Sequence, residues 1–186
     1  MKQIIIGLCG QLSSGKGTVT KYLVEQHGAK SFRYSTIVRD VLDRLVLPQS
    51  RSNMQELSKI LRQQFGDDLF AKTIAQDVSG CLDNLIVIDG VRRPMDIKYL
   101  RQIAGFVLVS VVADQQIRWQ RIVARGENTD DTSKTLEQFQ QDEQAEADAT
   151  IVDTMAQADY SLDNNGSPEQ LKQQVDKLLV TLGYGS

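Results

Sequence analysis

The sequence is poor in the residues that most often staple or metallate a small protein. Its 186 residues include two cysteines and one histidine. Two isolated cysteines in a chain of this length make neither a disulfide framework nor a zinc site. Cys9 sits inside an apolar run, where buried thiols are common. His27, the one histidine, ends a helical pattern just before Gly28, and no metal site can be built around it. No apolar run approaches membrane-spanning length. The run that begins at Ile4 is too short for a signal peptide, so the cytosol is the expected compartment and no membrane partner is expected. An excess of positive charge is missing too. There are 21 Lys and Arg against 24 Asp and Glu, a net charge of −3. A long nucleic-acid groove is therefore not expected. No internal repeat and no linker interrupts the chain. What remains is an ordinary globular composition, 41% hydrophobic and 24% charged, which fits one domain over residues 1–186.

Periodicity gives the elements. Residues 4–9 form a continuous apolar run rich in β-branched side chains, the mark of a strand buried on both faces. Residues 85–88 and 106–112 repeat that pattern, and residues 30–34 and 160–162 are shorter candidates. Helical spacing covers residues 16–25, 36–47, 53–64, 69–78, 115–124, 134–147 and 168–182, with one more helix opening at Pro94. Residues 126–133 read as a polar, mobile loop. Strands alternating with helices predict an α/β fold, a parallel sheet with helices on both faces.

The strongest motif is Gly10-Gln11-Leu12-Ser13-Ser14-Gly15-Lys16-Gly17-Thr18. It follows a predicted strand and opens a predicted helix, the context that gives a P-loop its meaning. Its glycines let backbone N–H groups wrap phosphate oxygens, and the helix N-terminus adds partial positive charge. Lys16 supplies a full cation for the β- and γ-phosphates of ATP. Gly17 replaces the usual hydroxyl after the lysine. Thr18, Ser13 and Ser14 are all near enough to help hold phosphate or metal.

Asp89 ends the second buried run, at the strand terminus where open α/β sheets bind ligands. A carboxylate there holds Mg²⁺ through water, opposite the P-loop; the alternative is a plain Asp-Gly turn. Arg92 and Arg93 follow, suited to an acceptor phosphate or to a solvated turn. Asp96 is expected to pair with one of them. Arg118, Arg121 and Arg125 fall on one helical face and run into the polar loop. Arginines carried over the phosphates would neutralise charge and exclude water, so residues 118–133 read as a lid in which Arg121 and Arg125 act. Asp130 and Asp131 would pair with lid cations or cap the next helix.

These residues together resemble the nucleoside monophosphate kinase and dephospho-CoA kinase branch of P-loop kinases. The resemblance spans nearly the whole chain. It rests on Gly10 to Thr18, on Asp89-Gly90-Val91-Arg92, on Arg121 with Arg125 ahead of Asp130-Asp131, and on the segment Ala158 to Ser167. It implies a five-stranded P-loop kinase fold with small acceptor-binding (35–80) and lid (118–133) segments. It also implies Mg²⁺ with ATP as co-substrate, and a small phosphorylated acceptor gripped by Arg39 and Arg92. Asn165 would lie in the loop beside the adenine, and the assembly would be a monomer or homodimer. The chain departs from the branch at residues 34–39, where dephospho-CoA kinases carry an aspartate that serves as base for the acceptor hydroxyl. Here the segment reads Tyr34-Ser35-Thr36-Ile37-Val38-Arg39. A hydroxyl acceptor needs a base, whereas a phosphate acceptor is already ionised. The expected reaction is therefore phosphoryl transfer to a nucleoside monophosphate. The alternatives are dephospho-CoA kinase, with Asp89 as base, and a nucleotide-binding switch with little transfer.

Overall fold

The computed structural model describes residues 3–125, 132, 134–145 and 150–185. Three long apolar runs form its central strands: β1 (Ile4–Cys9), β3 (Leu85–Asp89) and β4 (Phe106–Val112). Two shorter strands, β2 (Lys30–Arg33) and β5 (Tyr160–Asp163), flank them. The order is β2-β3-β1-β4-β5, and every neighbouring pair is parallel. This is the five-stranded parallel sheet that the sequence predicts.

Strand alternation divides the core into two layers. Ile4, Ile6 and Leu8 of β1 face Val19 and Leu23 of α1 (Lys16–His27) and Leu171, Val175 and Leu179 of α9 (Pro168–Thr181). Ile5 and Cys9 point the other way. They meet Ile74 and Val78 of α4 (Leu69–Ser79), Ile97 and Leu100 of α5 (Pro94–Leu100), and Ile151 of α8 (Ile151–Met155). A third, smaller cluster joins Val38 and Leu42 of α2 (Tyr34–Arg44), Met54 and Leu57 of α3 (Arg51–Phe65), and Phe70. The remaining helices are α6 (Gln115–Arg125) and α7 (Leu136–Ala145). None of the described helices is long and apolar enough to cross a membrane.

Local chemistry sets the boundaries. Gly28, at φ 66°, ends α1 with its N–H on the Leu23 carbonyl. Ser50 caps α3 by accepting the Asn53 amide at 3.1 Å. Ser167 and Gln170 form a reciprocal capping box ahead of α9. Two outcomes differ from the periodicity. α2 stops at Arg44, not at residue 47, because Val46 turns left-handed (φ 58°) and the Leu47 amide folds back onto the Leu42 carbonyl at 2.9 Å. The single-turn helix α8 is an addition. It is too short to show a period, and it is pinned by buried Ile151 and by the Thr154 hydroxyl on the Arg92 carbonyl at 3.0 Å.

Gly105 closes the turn into β4. It holds φ +87°, its carbonyl receives the Ile5 amide at 3.0 Å, and a Cβ there would lie 2.1 Å from the Gln3 carbonyl oxygen. A left-handed non-glycine residue costs roughly 1–2 kcal/mol before any clash. Gly105→Ala should therefore lower stability by at least about 2 kcal/mol in urea unfolding. An unchanged midpoint would mean that the junction of Gln3 with β4 yields freely.

Candidate functional site

The carboxyl end of β1 lies in the middle of the sheet, and the chain must turn there to enter α1. Ser13 takes a left-handed conformation (φ 57°), as does Gly15 (φ 109°). The Lys16 ammonium bends over this loop and donates to the carbonyls of Gly10 and, at 2.9 Å, Gln11. Among the described residues no side chain caps the start of α1, the arrangement in which a bound phosphate serves as the cap. The Ser13 and Ser14 hydroxyls are buried with no partner among the described residues. Buried orphan hydroxyls inside such a loop suit ligand oxygens or a metal. Thr18 stands exposed in the first turn of α1, after Gly17.

A side-chain brace holds the loop from the β4–β5 side. Asn164, 5% exposed, donates its amide to the Ser14 carbonyl at 2.7 Å. It fits because Gly15 has no side chain, since a Cβ there would sit 2.0 Å from Asn164 Nδ2. Arg121 of α6 donates Nη2 to the Asn164 carbonyl at 2.8 Å, while its Nη1 is buried without a partner among the described residues. Burial pushes the Arg121 guanidinium below its ordinary pKa. Arg121 is thus tied to the phosphate loop through one intermediate residue.

Arg118 plays a different part. It is 2% exposed, donates to the carbonyls of Ala113 (3.0 Å) and Leu12 (3.2 Å), pairs with Glu143 of α7, and lies over the Phe139 ring. It is a structural strut between α6, α7 and the P-loop. Trp119 packs alongside and donates its indole N–H to the Lys134 carbonyl at 2.8 Å. The side chain of Arg125 and the residues Asp130 and Asp131 lie outside the described residues, as does most of the expected lid loop.

On the other side of β1, Asp89 ends β3 in register with Arg33 of β2, and the two pair at 2.9 Å. The Asp89 side chain is 14% exposed. Among the described residues no group of three or more His, Cys, Asp or Glu could cage a metal. A cation here would rest on one carboxylate, hydroxyls and substrate oxygens. Arg92 is exposed. Arg39 is exposed as well and donates to the Gln49 side chain at 2.6 Å. Asp96 does not hydrogen-bond to either neighbouring guanidinium; Oδ2 accepts the backbone amides of Arg92 (3.1 Å) and Arg93 (3.0 Å) and caps α5. Burial raises its pKa. Asn165 is exposed and accepts the Asp114 amide at 2.7 Å, which fixes the turn into α6.

Asn164 and Arg33 were not legible as site residues. Asn164 differs from Asn165 by one position in a loop, and only the P-loop contact separates them. Arg33 ends a short, exposed strand, and its meaning depends on β2 pairing with β3.

The AAA domain family profile matches residues 6–158. A UPF0200 protein of Thermococcus kodakarensis is 31% identical over 181 residues, covering 95% of this chain and 96% of that one. A UPF0200 protein of Hyperthermus butylicus is 27% identical over 180 residues, covering 97% and 95%. Among solved structures, shikimate kinase from Bacteroides thetaiotaomicron superposes with a TM-score of 0.64 at 14% identity, covering 97% of this chain and 98% of that one. Shikimate kinase from Acinetobacter baumannii in complex with shikimate gives 0.58 at 15%, covering 96% and 94%. At these identities the likeness is one of fold, the P-loop kinase fold.

The Asn164 brace is testable. Asn164→Ala removes the bond to Ser14 and leaves Arg121 less well held. The expected result is roughly tenfold weaker binding of a fluorescent ATP analogue, together with a loss of about 1–2 kcal/mol of stability. Unchanged nucleotide affinity would reduce Asn164 to packing.

Proposed function

The chain belongs to the AAA domain family and to the UPF0200 family, and on that footing we propose that it is a kinase. It transfers the γ-phosphoryl group of ATP to a nucleoside monophosphate or a related nucleotide-like acceptor. The observation that carries this reading is Arg121, held beside the P-loop through Asn164 with a buried guanidinium nitrogen that lacks a partner among the described residues. A nucleotide switch needs phosphate amides and a lysine; an arginine set against the same loop fits charge that develops during transfer.

In this reading Gly10, Ser13, Ser14, Gly15, Gly17 and Thr18 cradle the donor phosphates. Lys16 leaves the carbonyls of Gly10 and Gln11 for the β- and γ-phosphates. Arg121, joined by Arg125, neutralises the transferred group. Mg²⁺ bound with ATP would supply charge neutralisation at the β- and γ-oxygens. The buried orphan hydroxyls of the loop and the single carboxylate of Asp89 fit a cation that keeps much of its water. Thr18 and Asp89 would hold it. Asn165 lies on the loop assigned to the adenine. Residues 35–80 form the acceptor segment and 118–133 the lid, with exposed Arg39 and Arg92 guiding the acceptor at the rim.

Strand order supports a two-sided site. β1 and its loop occupy the centre, Asn164 follows β5 on one side, and Asp89 and Arg33 end β3 and β2 on the other. The new bond forms between an acceptor oxygen and Pγ, while the bond from Pγ to the β–γ bridging oxygen breaks and ADP leaves. A phosphate acceptor arrives ionised. A hydroxyl acceptor would need Asp89 as base, and Asp89 is engaged by Arg33.

The test is a panel of ribo- and deoxyribonucleoside monophosphates with dephospho-CoA and shikimate, following ADP release and product mass under Mg²⁺-ATP. Turnover of one monophosphate is the expected result. Turnover of dephospho-CoA or shikimate alone would move the acceptor to a hydroxyl and the base to Asp89. Lys16→Ala should cut transfer on the order of a hundredfold or more while the protein still folds. Wild-type turnover in that variant would remove the P-loop from the reaction.

A further inference from the structure

The carbonyls of the loop that enters α1 are held from several sides. Lys16 takes those of Gly10 and, at 2.9 Å, Gln11. Asn164 takes that of Ser14 at 2.7 Å, and Arg118 takes that of Leu12 at 3.2 Å. A trans peptide is planar, with its C=O and the following N–H pointing in opposite directions. Holding the Leu12 carbonyl therefore aims the Ser13 N–H away from Arg118. In the same way, holding the Ser14 carbonyl aims the Gly15 N–H away from Asn164. Neither amide makes a hydrogen bond among the described residues. Ser13 stands at φ 57°, a conformation that a non-glycine residue keeps only where its surroundings impose it.

Arg118 is itself firmly placed. Its Nε donates to the Ala113 carbonyl at 3.0 Å, its Nη1 serves both Leu12 and Glu143, and its guanidinium lies over the Phe139 ring, 5.6 Å from the centroid. Glu143 Oε2 accepts from Gln115 at 2.9 Å, and the Gln115 side chain accepts from Gln140 at 2.8 Å. Phe139, Gln140 and Glu143 all belong to α7. The placement of α7 thus sets the guanidinium plane, and that plane sets the Leu12 carbonyl. A buried ion pair adds little stability over well-packed apolar side chains. Here the pair orients a planar donor and cancels its charge, so Arg118 can turn the peptide without drawing a phosphate to itself.

We propose that Arg118 is a positioning residue for the donor phosphates, with Glu143 as its anchor on α7. Together they set the Ser13 N–H for a phosphate oxygen of ATP. The inference rests on the nucleotide-binding part of the kinase reading. It adds two residues that act through the loop and not on the nucleotide. It also makes α7, which reads in sequence as a plain polar helix, part of the nucleotide site. By reciprocity, a nucleotide bound at the loop holds α7 more firmly.

The test uses the whole protein, a fluorescent ATP analogue, and backbone amide spectra. Arg118→Lys keeps the charge and can still meet Glu143, but an ammonium lacks the planar fork that spans the Ala113 and Leu12 carbonyls. Binding of the analogue should weaken about tenfold. The ATP KM should rise while the acceptor KM holds. The Ser13 amide signal should shift in the nucleotide-free protein while that of Gly15 stays. In wild type, ADP should slow hydrogen exchange at the Phe139 and Gln140 amides, and Arg118→Lys should lose that protection. Glu143→Gln carries the same measurements should Arg118→Lys not fold, and it should weaken binding less than Glu143→Ala does. A lower melting temperature with unchanged analogue affinity and an unmoved Ser13 signal would overturn the proposal and leave Arg118 a strut only. Full transfer with an unchanged ATP KM in Arg118→Lys would overturn it too, with the kinase left standing. Weakened binding and a shifted Ser13 signal, in a protein whose wild type transfers to no acceptor, would uphold the positioning role and remove the kinase.

Discussion

Gly15 leaves a space that the Asn164 amide fills, and through that space α6, β5 and the phosphate loop are joined. The bond from Asn164 to the Ser14 carbonyl spans 150 residues of sequence. It fixes the far side of the P-loop and provides the carbonyl on which Arg121 rests. A side chain at position 15 would expel Asn164, and the arginine would lose its seat. The glycine therefore has two duties. It adopts the left-handed turn into α1, and it admits the residue on which Arg121 rests.

Charge is arranged around this contact against the overall balance of the molecule. The chain carries a net −3, yet Lys16, Arg33 and Arg121 all gather near the carboxyl edge of the sheet. Each is held in a different way: Lys16 by loop carbonyls, Arg33 by Asp89, and Arg121 by Asn164. The neutral carbonyl under Arg121 orients a guanidinium without cancelling its charge, whereas Asp89 pairs with Arg33. An incoming phosphate then meets fixed cations and has little to rearrange. Arg118 shows the contrast. Its ion pair with Glu143 neutralises it, and it serves as a strut.

The central strands were legible because each is buried on both faces and so reads as an unbroken apolar run. The P-loop was legible because its geometry is local: strand, glycine turn and helix follow one another in the chain. Helix ends were less so. α2 ends where Val46 accepts a left-handed turn that periodicity does not announce, and α8 is a single turn that exists because Thr154 and Ile151 find distant partners. The site residues that escaped are those defined by tertiary contact. Asn164 and Asn165 look alike in sequence, and one meets Ser14 while the other holds the Asp114 amide. Helical spacing assigns the three arginines of α6 to one face, but only a structure separates the neutralised strut at Arg118 from Arg121.

The acceptor question turns on the ownership of Asp89. A carboxylate at the end of β3 can serve as a metal ligand, as a general base or as a counter-ion, and it cannot serve fully as all three. In the structure Arg33 claims it, and register makes the claim firm because Arg33 and Asp89 are paired positions on adjacent parallel strands. A general base must be free to reach the proton it takes, and the Asp89 carboxylate is already occupied by Arg33 at 2.9 Å. A water-bridged metal tolerates the same neighbour more easily, since it needs no direct approach to the carboxylate. The Arg33–Asp89 pair thus favours the metal role over the base role. It thereby favours an acceptor that arrives with its oxygen already ionised.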